Sequence, residues 1–153
     1  MFRWNLLKNK YLTFKRPLAG RFLFGEQMLE LLVGKIIKKI TEDGHSMVFE
    51  CTDGSAFEAY HMQDCCQNVS IHDINLPDLS VLNGEEIYHA DSEESSTWPE
   101  DVAPPDYNES FTWTTHFIKT KNNTLKVRWL GTSNGYYSES VYFQRTHPKI
   151  DLK

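Results

Sequence analysis

Turn-forming dipeptides divide this chain into short segments, and they limit what it can fold into. Asp43-Gly44, Asp53-Gly54 and Asn134-Gly135 each join a side chain that favours turns to a glycine, and Asn122-Asn123 marks a further turn. Turns of this kind connect neighbouring antiparallel strands and interrupt any long helix. Their spacing therefore predicts a hairpin-rich, antiparallel fold.

The segments between these turns have the alternation and the β-branched and aromatic side chains typical of strands. Strands are predicted, in chain order, at residues 35–42, 46–52, 55–62, 69–74, 85–92, 110–120, 124–130 and 136–145. The first three are predicted to form a meander. Short helices are predicted just after Met28 and at residues 76–84, the second ending at Gly84. The predicted fold class is α+β and β-rich, a single domain of antiparallel hairpins with one or two short helices.

A chain of 153 residues has the length of one domain. We place this domain at residues 28–146 and expect a loose tail at 147–153. Residues 1–27 form a basic extension, which we interpret as disordered or as the product of a misassigned start. The chain has an odd number of cysteines and no apolar run long enough for a signal peptide or a membrane span, so we expect a cytoplasmic protein.

Charge is distributed unevenly along the chain, whose net charge is −5. Residues 41–118 contain seventeen Asp and Glu and no Lys or Arg, whereas residues 1–40 and 119–153 are basic. Two explanations stay open. The acidic centre is neutralised by packing against the basic final strands, or it offers an acidic face to a basic partner or to metal ions.

Reactive side chains are concentrated between the predicted third and fourth strands. His61, Asp64, Cys65 and Cys66 supply the nucleophile, base and acid of a thiol-dependent enzyme, and we take them as catalytic candidates. The surrounding acidity opposes thiolate formation. The alternative is that the two cysteines are small buried groups in a connection between strands.

A metal site is the second possibility for the same stretch. His61, Cys65, His72 and Asp73 are zinc-ligand types, although their spacing differs from the paired, closely spaced ligands of structural zinc sites. No cofactor is predicted, and zinc is kept as an alternative.

The last strands carry basic and aromatic residues in alternation. Such strands can form a stacking platform for nucleic acid. The residues concerned are Lys119, Lys121, Lys126, Arg128 and Arg145, with Trp113, Trp129, Tyr136 and Tyr137. The overall acidity opposes phosphate binding, and alternation that buries the aromatics and exposes the lysines explains the pattern equally; we prefer this second interpretation. Candidates for ligand binding here are Trp129, Asn134, Tyr136 and Tyr137.

Two segments together carry a resemblance to a known family. Tyr-His-Met-Gln-Asp-Cys-Cys-Gln-Asn-Val begins at Tyr60, and Trp-Leu-Gly-Thr-Ser-Asn-Gly-Tyr-Tyr-Ser-Glu-Ser-Val-Tyr-Phe begins at Trp129. With Gly34-Lys35 and Leu82-Asn83-Gly84, they resemble an uncharacterised family of small proteins found largely in bacteriophage genomes. The similarity extends from about Leu29 to Phe143. It implies a viral context and a bacterial host cytosol.

From these features we expect a small, non-enzymatic phage accessory protein that binds a host protein and modulates metabolism or defence. One alternative is a metal- or thiol-dependent enzyme, or a small-ligand binder, that uses the His61–Asp73 stretch. Another is a nucleic-acid-binding protein that uses the basic C-terminal strands.

Overall fold

The computed structural model describes residues 28–106 and 109–148. They form two four-stranded antiparallel sheets. The first sheet has the order β1-β2-β3-β8, with β1 at Ile37–Glu42, β2 at Ser46–Cys51, β3 at Ala56–Tyr60 and β8 at Tyr142–Thr146. The second has the order β4-β7-β6-β5, with β4 at Gln67–Ile74, β5 at Ile87–Ser95, β6 at Ser110–Thr120 and β7 at Thr124–Ser133.

The predicted helices are not α-helices. Two short 3-10 turns occupy their places, one at Met28–Leu32 and one at Leu79–Leu82. Asp78 caps the second turn by accepting a hydrogen bond from the backbone N–H of Ser80 at 2.9 Å. Each segment contains too few residues to repeat an i→i+4 bond, so the fold is β-rich with no α-helix among the described residues.

One hydrophobic core is shared by the two sheets. Phe49 and Phe57 of the first sheet belong to the same buried cluster as Val127 and Trp129 of the second. The free thiol of Cys51 also lies in this cluster. Burying so many large apolar side chains is the main source of stability for a chain of this size.

The two halves of the chain repeat one architecture. Each half has a 3-10 turn, a three-stranded meander and a fourth strand, and the order of strands shows that the fourth strands are exchanged. Strand β4 pairs with β7 of the second meander, and β8 pairs with β3 of the first. The molecule therefore has an approximate internal two-fold symmetry.

Hydrogen bonds between the halves follow the same symmetry. Gly34 N–H donates to the carbonyl of Ile87 at 2.7 Å, and Gly84 N–H donates to that of Ile37 at 2.7 Å. Both glycines have a positive φ, 87° and 85° respectively, which side chains disfavour. Because the two glycines share this conformation and this type of hydrogen bond, both 3-10 turns lead into the first strand of their half in the same way.

Two predictions about the last third of the chain are wrong. Strand β8 begins at Tyr142 and not at Tyr136, and it does not form a hairpin with β7. Gly135 does turn the chain, with φ 94°, but the chain then crosses to the other sheet. Pairing with β3 satisfies the backbone of β8 and leaves β7 free to pair with β4.

The predicted extension at 1–27 and most of the predicted tail lie outside the described residues. Of the tail, His147 and Pro148 are described, and both are exposed. Within 28–106 and 109–148 there is no helix of the length and apolarity that a membrane crossing requires.

Candidate functional site

The candidate site lies where the two halves exchange their fourth strands. The first crossover, residues 61–66, leads from β3 to β4, and the second crossover, residues 134–141, leads from β7 to β8. Direct contacts join them. The Nδ1 atom of His61 lies 2.7 Å from the carbonyl oxygen of Ser140, and the sulfur of Cys65 lies 3.1 Å from the hydroxyl of Tyr137.

Both ring nitrogens of His61 are occupied by structural hydrogen bonds. A carbonyl oxygen can only accept, so Nδ1 carries the proton that bonds to Ser140. The Nε2 atom is then an acceptor, and it lies 3.1 Å from the side-chain nitrogen of Gln67. The ring also stacks on Tyr142, with centroids 5.9 Å apart. His61 therefore fixes the first crossover against the second.

Gln67, the first residue of β4, is buried and forms hydrogen bonds to three residues of the first crossover. Its side-chain oxygen accepts from the backbone N–H of Cys66 at 3.0 Å, while its side-chain nitrogen donates to His61. Its backbone carbonyl accepts from the side chain of Gln63. These bonds replace the strand pairing that residues 61–66 lack.

Cys65 and Cys66 are bonded to each other, with sulfur atoms 2.07 Å apart. Both residues are exposed, so the alternative that they are small buried groups in a connection between strands is wrong. A disulfide sulfur carries no hydrogen, so the Tyr137 hydroxyl donates to Cys65.

The second crossover is held by the buried carboxylate of Glu139. Its two oxygens accept from Thr112 at 2.9 Å and from Ser133 at 2.6 Å. Gly131 makes room for this segment: a Cβ atom there would lie 2.5 Å from the carbonyl oxygen of Glu139. The close approach explains a glycine in the middle of β7.

The structure separates the predicted site residues into three groups. His61, Cys65 and Cys66 lie in the first crossover with exposed Asp64. Asn134, Tyr136 and Tyr137 lie in the second crossover, where Asn134 accepts from the backbone N–H of Tyr136 at 3.1 Å. The two predicted sets thus meet at one site, although about seventy residues separate them in the sequence.

Trp129, His72 and Asp73 lie elsewhere. Trp129 is fully buried in the core, so the prediction that it binds a ligand is wrong. His72 packs its ring edge-on against Trp113 at 4.9 Å, and Asp73 accepts from Arg128 at 2.9 Å. No group of three or more metal-ligand side chains is found among the described residues. The predicted zinc ligands therefore do not converge.

The arrangement does not provide a catalytic thiol. Both candidate nucleophiles are in a disulfide, and the remaining cysteine, Cys51, is buried, which raises the pKa of its thiol. Both ring nitrogens of His61 are engaged, one with Ser140 and one with Gln67, so neither serves as a base for a sulfur atom. A thiol nucleophile needs a base within hydrogen-bond reach.

The basic and aromatic residues proposed to stack on nucleic-acid bases do not form one continuous surface. Trp113 and Trp129 are buried, on opposite faces of the second sheet. Arg128 donates to Asp101 at 2.9 Å as well as to Asp73, and these carboxylates raise the pKa of its guanidinium further. Its charge is therefore neutralised within the fold.

Comparison with known proteins places this site inside one domain family. A family model described as a domain of unknown function, DUF7448, matches residues 30–143. The chain belongs to this family. No curated protein and no solved structure matches the chain. The matched region of DUF7448 includes both crossovers, the whole second 3-10 turn and the first 3-10 turn from Glu30 onwards. It also includes all strands except the end of β8.

Proposed function

We propose that this DUF7448 protein is a non-enzymatic binding protein, and that its two crossovers form the surface that contacts a host protein. The observation that carries the proposal is the exposure of large side chains on segments that are held in place. Tyr136 is 91% exposed and Met62 is 69% exposed, while His61 and Glu139 fix the two segments that carry them.

Fixed loops with exposed aromatic side chains are typical of recognition surfaces. Tyrosine is enriched among residues that dominate binding energy, since it buries a large area while losing little conformational freedom. A rigid sheet scaffold reduces the entropy that a loop loses on binding. Tyr136 and Met62 fit this description because β3, β4, β7 and β8 hold the ends of their segments.

The exposure of Tyr136 and Met62 favours a protein partner over a small molecule, since small-molecule sites are concave and enclose most of their ligand. Two grooves among the described residues, of about 320 and 590 Å³, lie away from the crossovers, one beside Gly54 and Arg145 and one between β1 and the second 3-10 turn. The crossovers contain no Lys or Arg and include Asp64, so the partner surface is expected to be apolar with basic residues at its rim.

A photo-crosslinking amino acid at position 136 tests the proposal in bacterial cells. Position 88 is the matched control, because Tyr88 is also exposed, at 61%, but lies on β5 away from the crossovers. We expect a discrete protein adduct from position 136 and none from position 88. The purified partner should bind the Tyr136→Ala variant about tenfold or more weakly than the unmodified protein.

Two results would contradict the proposal. One is the same adducts from positions 136 and 88, which would indicate non-specific capture. The other is an unchanged affinity for Tyr136→Ala, with the Tyr88→Ala variant as the reference for a surface tyrosine outside the site.

A further inference from the structure

The Cys65–Cys66 disulfide is placed where a reductant in solution can reach it. Both cysteines are exposed and belong to a segment with no strand pairing, whereas Cys51 is only 2% exposed. Exposed disulfides are those that exchange with external thiols. The chain thus contains one accessible sulfur pair and one inaccessible thiol.

Adjacency of the two cysteines decides what kind of reductant can open the bond. We propose that Cys65–Cys66 is a reversible thiol–disulfide exchange site that dithiol reductants open at a much lower thiol concentration than monothiols do. The proposal concerns the chemistry of the crossover itself and does not depend on the binding of a host protein.

The first step is the same for every thiol. A reductant thiolate attacks the sulfur of one cysteine, the bond between Cys65 and Cys66 breaks, and a mixed disulfide forms with the attacked cysteine. The other cysteine leaves as a thiolate and takes up a proton. Because it is the next residue in the chain, it remains beside the mixed disulfide at a high effective concentration.

Two second steps then compete. The neighbouring cysteine can attack the mixed disulfide, which re-forms Cys65–Cys66 and expels the reductant. Alternatively, the second thiol of a dithiol attacks its own bonded sulfur, which releases the attacked cysteine as a thiol and leaves the reductant oxidised. Two electrons pass from the reductant to the two cysteines, and two protons end on their sulfurs. A monothiol lacks this intramolecular route and needs a second molecule.

Charge near the site acts in the same direction. Neither crossover contains Lys or Arg, and Asp64 directly precedes the disulfide. An anionic monothiol such as glutathione therefore approaches without any attraction from neighbouring basic groups in the same segments. The attacking thiolate of dithiothreitol carries one negative charge, whereas that of glutathione carries a net charge of two, so the acidic segment disfavours the dithiol less.

Opening the bond also changes a contact between the crossovers. The Tyr137 hydroxyl donates to the sulfur of Cys65 at 3.1 Å, and the ring formed by the disulfide fixes that sulfur in position. Two free thiol side chains can rotate independently. We expect reduction to increase amide hydrogen exchange at residues 136–138 and to leave the turn at Asp53-Gly54 unchanged.

Thiol trapping on the folded, full-length protein tests the proposal. The protein is kept in air, treated with dithiothreitol or with reduced glutathione at equal thiol concentration, blocked with N-ethylmaleimide and measured by intact mass. We expect no maleimide without reductant and two after dithiothreitol. Half-reduction by glutathione should need roughly tenfold or more thiol. Cys51→Ala should give the same counts, because Cys51 is buried.

Single-cysteine variants provide the matched control. In Cys66→Ser no neighbouring thiol can expel glutathione, so oxidised glutathione should leave a stable adduct on Cys65 that the unmodified protein does not accumulate. Three results would overturn the proposal: two free thiols in the air-exposed protein, equal reduction by both reagents, or a stable glutathione adduct on the unmodified protein. All three are read on the unmodified protein and need no variant to fold.

Discussion

His116 lies on the inner face of β6, where its ring packs against Trp129 with centroids 6.0 Å apart. Burial lowers the pKa of this histidine from its usual 6.5 to about 4. The unfolded chain therefore binds a proton between these two pH values that the folded chain does not. The free energy of unfolding should fall as the pH drops through this window and be constant, as far as His116 is concerned, above pH 6.5.

His116→Phe removes this ionisation while keeping a ring of similar size. Between pH 7.5 and 4.5 the unmodified protein should lose roughly 2–3 kcal/mol more stability than the variant, as measured by urea unfolding at each pH. Carboxylates titrate in both proteins and so cancel in the comparison. Parallel stability curves for the two proteins would show that His116 is accessible to protons in the folded state.

Individual residues also show why the site could be predicted only in part from the sequence. Alternation places Trp129 on the same face of its strand as Leu125 and Val127, and all three are buried. The preferred interpretation, that alternation buries the aromatics, is thus confirmed for Trp129 but not for Tyr136, which is 91% exposed. The reactive character of residues 61–66 was visible in the sequence. The bond between Cys65 and Cys66 was not, since neighbouring cysteines give no separation from which a pairing is inferred.

Residues 96–106, in the loop between β5 and β6, are held against the second sheet. Trp98 packs edge-on against Phe111 and Trp113, with centroids 5.0 and 5.2 Å apart. Asp101 accepts from Arg128 of β7, and this bond lowers the pKa of the Asp101 carboxyl. Trp113 lies on the outer face of the sheet, and without these contacts from the loop it would be exposed.

We expect Asp101→Ala to release this loop without unfolding the sheets. Trypsin has no site between residues 41 and 118, so cleavage by a broad-specificity protease is the measurement. Cleavage within 96–106 should become several-fold faster, while global stability falls by no more than about 1 kcal/mol, since Asp101 is largely exposed. High salt should reproduce part of the effect.

Glu100→Ala, which removes an exposed carboxylate on the same loop, is the control. Equal acceleration of cleavage by both variants would contradict a specific role for Asp101.

Element boundaries were predicted well where local signals determine them. Asp43-Gly44 and Asp53-Gly54 define the first meander, and its strands lie within two residues of their predicted limits. The predicted strand at 110–120 is also confirmed. The partner of β8 was not predictable from the turn at Asn134-Gly135, because a turn fixes the direction of the chain but not the sheet to which the next strand adds.

At the scale of the whole molecule, the internal symmetry has a sequence signal. Leu29, Leu32, Gly34 and Ile37 recur fifty positions later as Leu79, Leu82, Gly84 and Ile87, and an extra residue follows the isoleucine in both strands. The repeat explains why both crossovers reach the same place, since equivalent connections of two halves related by a two-fold axis approach each other near that axis. The rest of each half has diverged too far for sequence alone to show the relation.

Divergence has also changed the charges at equivalent positions. Lys35 pairs with Asp53 at 2.6 Å, whereas Glu85 accepts from Asn123 at 3.0 Å. Each reaches the turn between the second and third strands of its own half. Arg128 of the final strands thus pairs with two carboxylates of the acidic centre, which accords in part with the explanation that this centre packs against the basic final strands. Lys35, from the first part of the chain, pairs with a third carboxylate.

The symmetry predicts that the order of the halves can be reversed. In the native chain residues 75–78 join β4 to the second 3-10 turn, and the equivalent elements, β8 and the first turn, also contact each other. A permuted chain would start at Pro77, run to Pro148, continue through a linker of about four residues to Met28 and end at Leu76. We expect it to fold cooperatively as a monomer, with a free energy of unfolding within about 2 kcal/mol of that of residues 28–148 in native order, as measured by urea unfolding and sedimentation.

A control chain permuted between Val127 and Arg128 divides β7, an inner strand of the second sheet, and should not fold. Failure of the first permuted chain would show that the halves are not interchangeable in order. Folding of both chains would show that tolerance of the first opening does not depend on the symmetry.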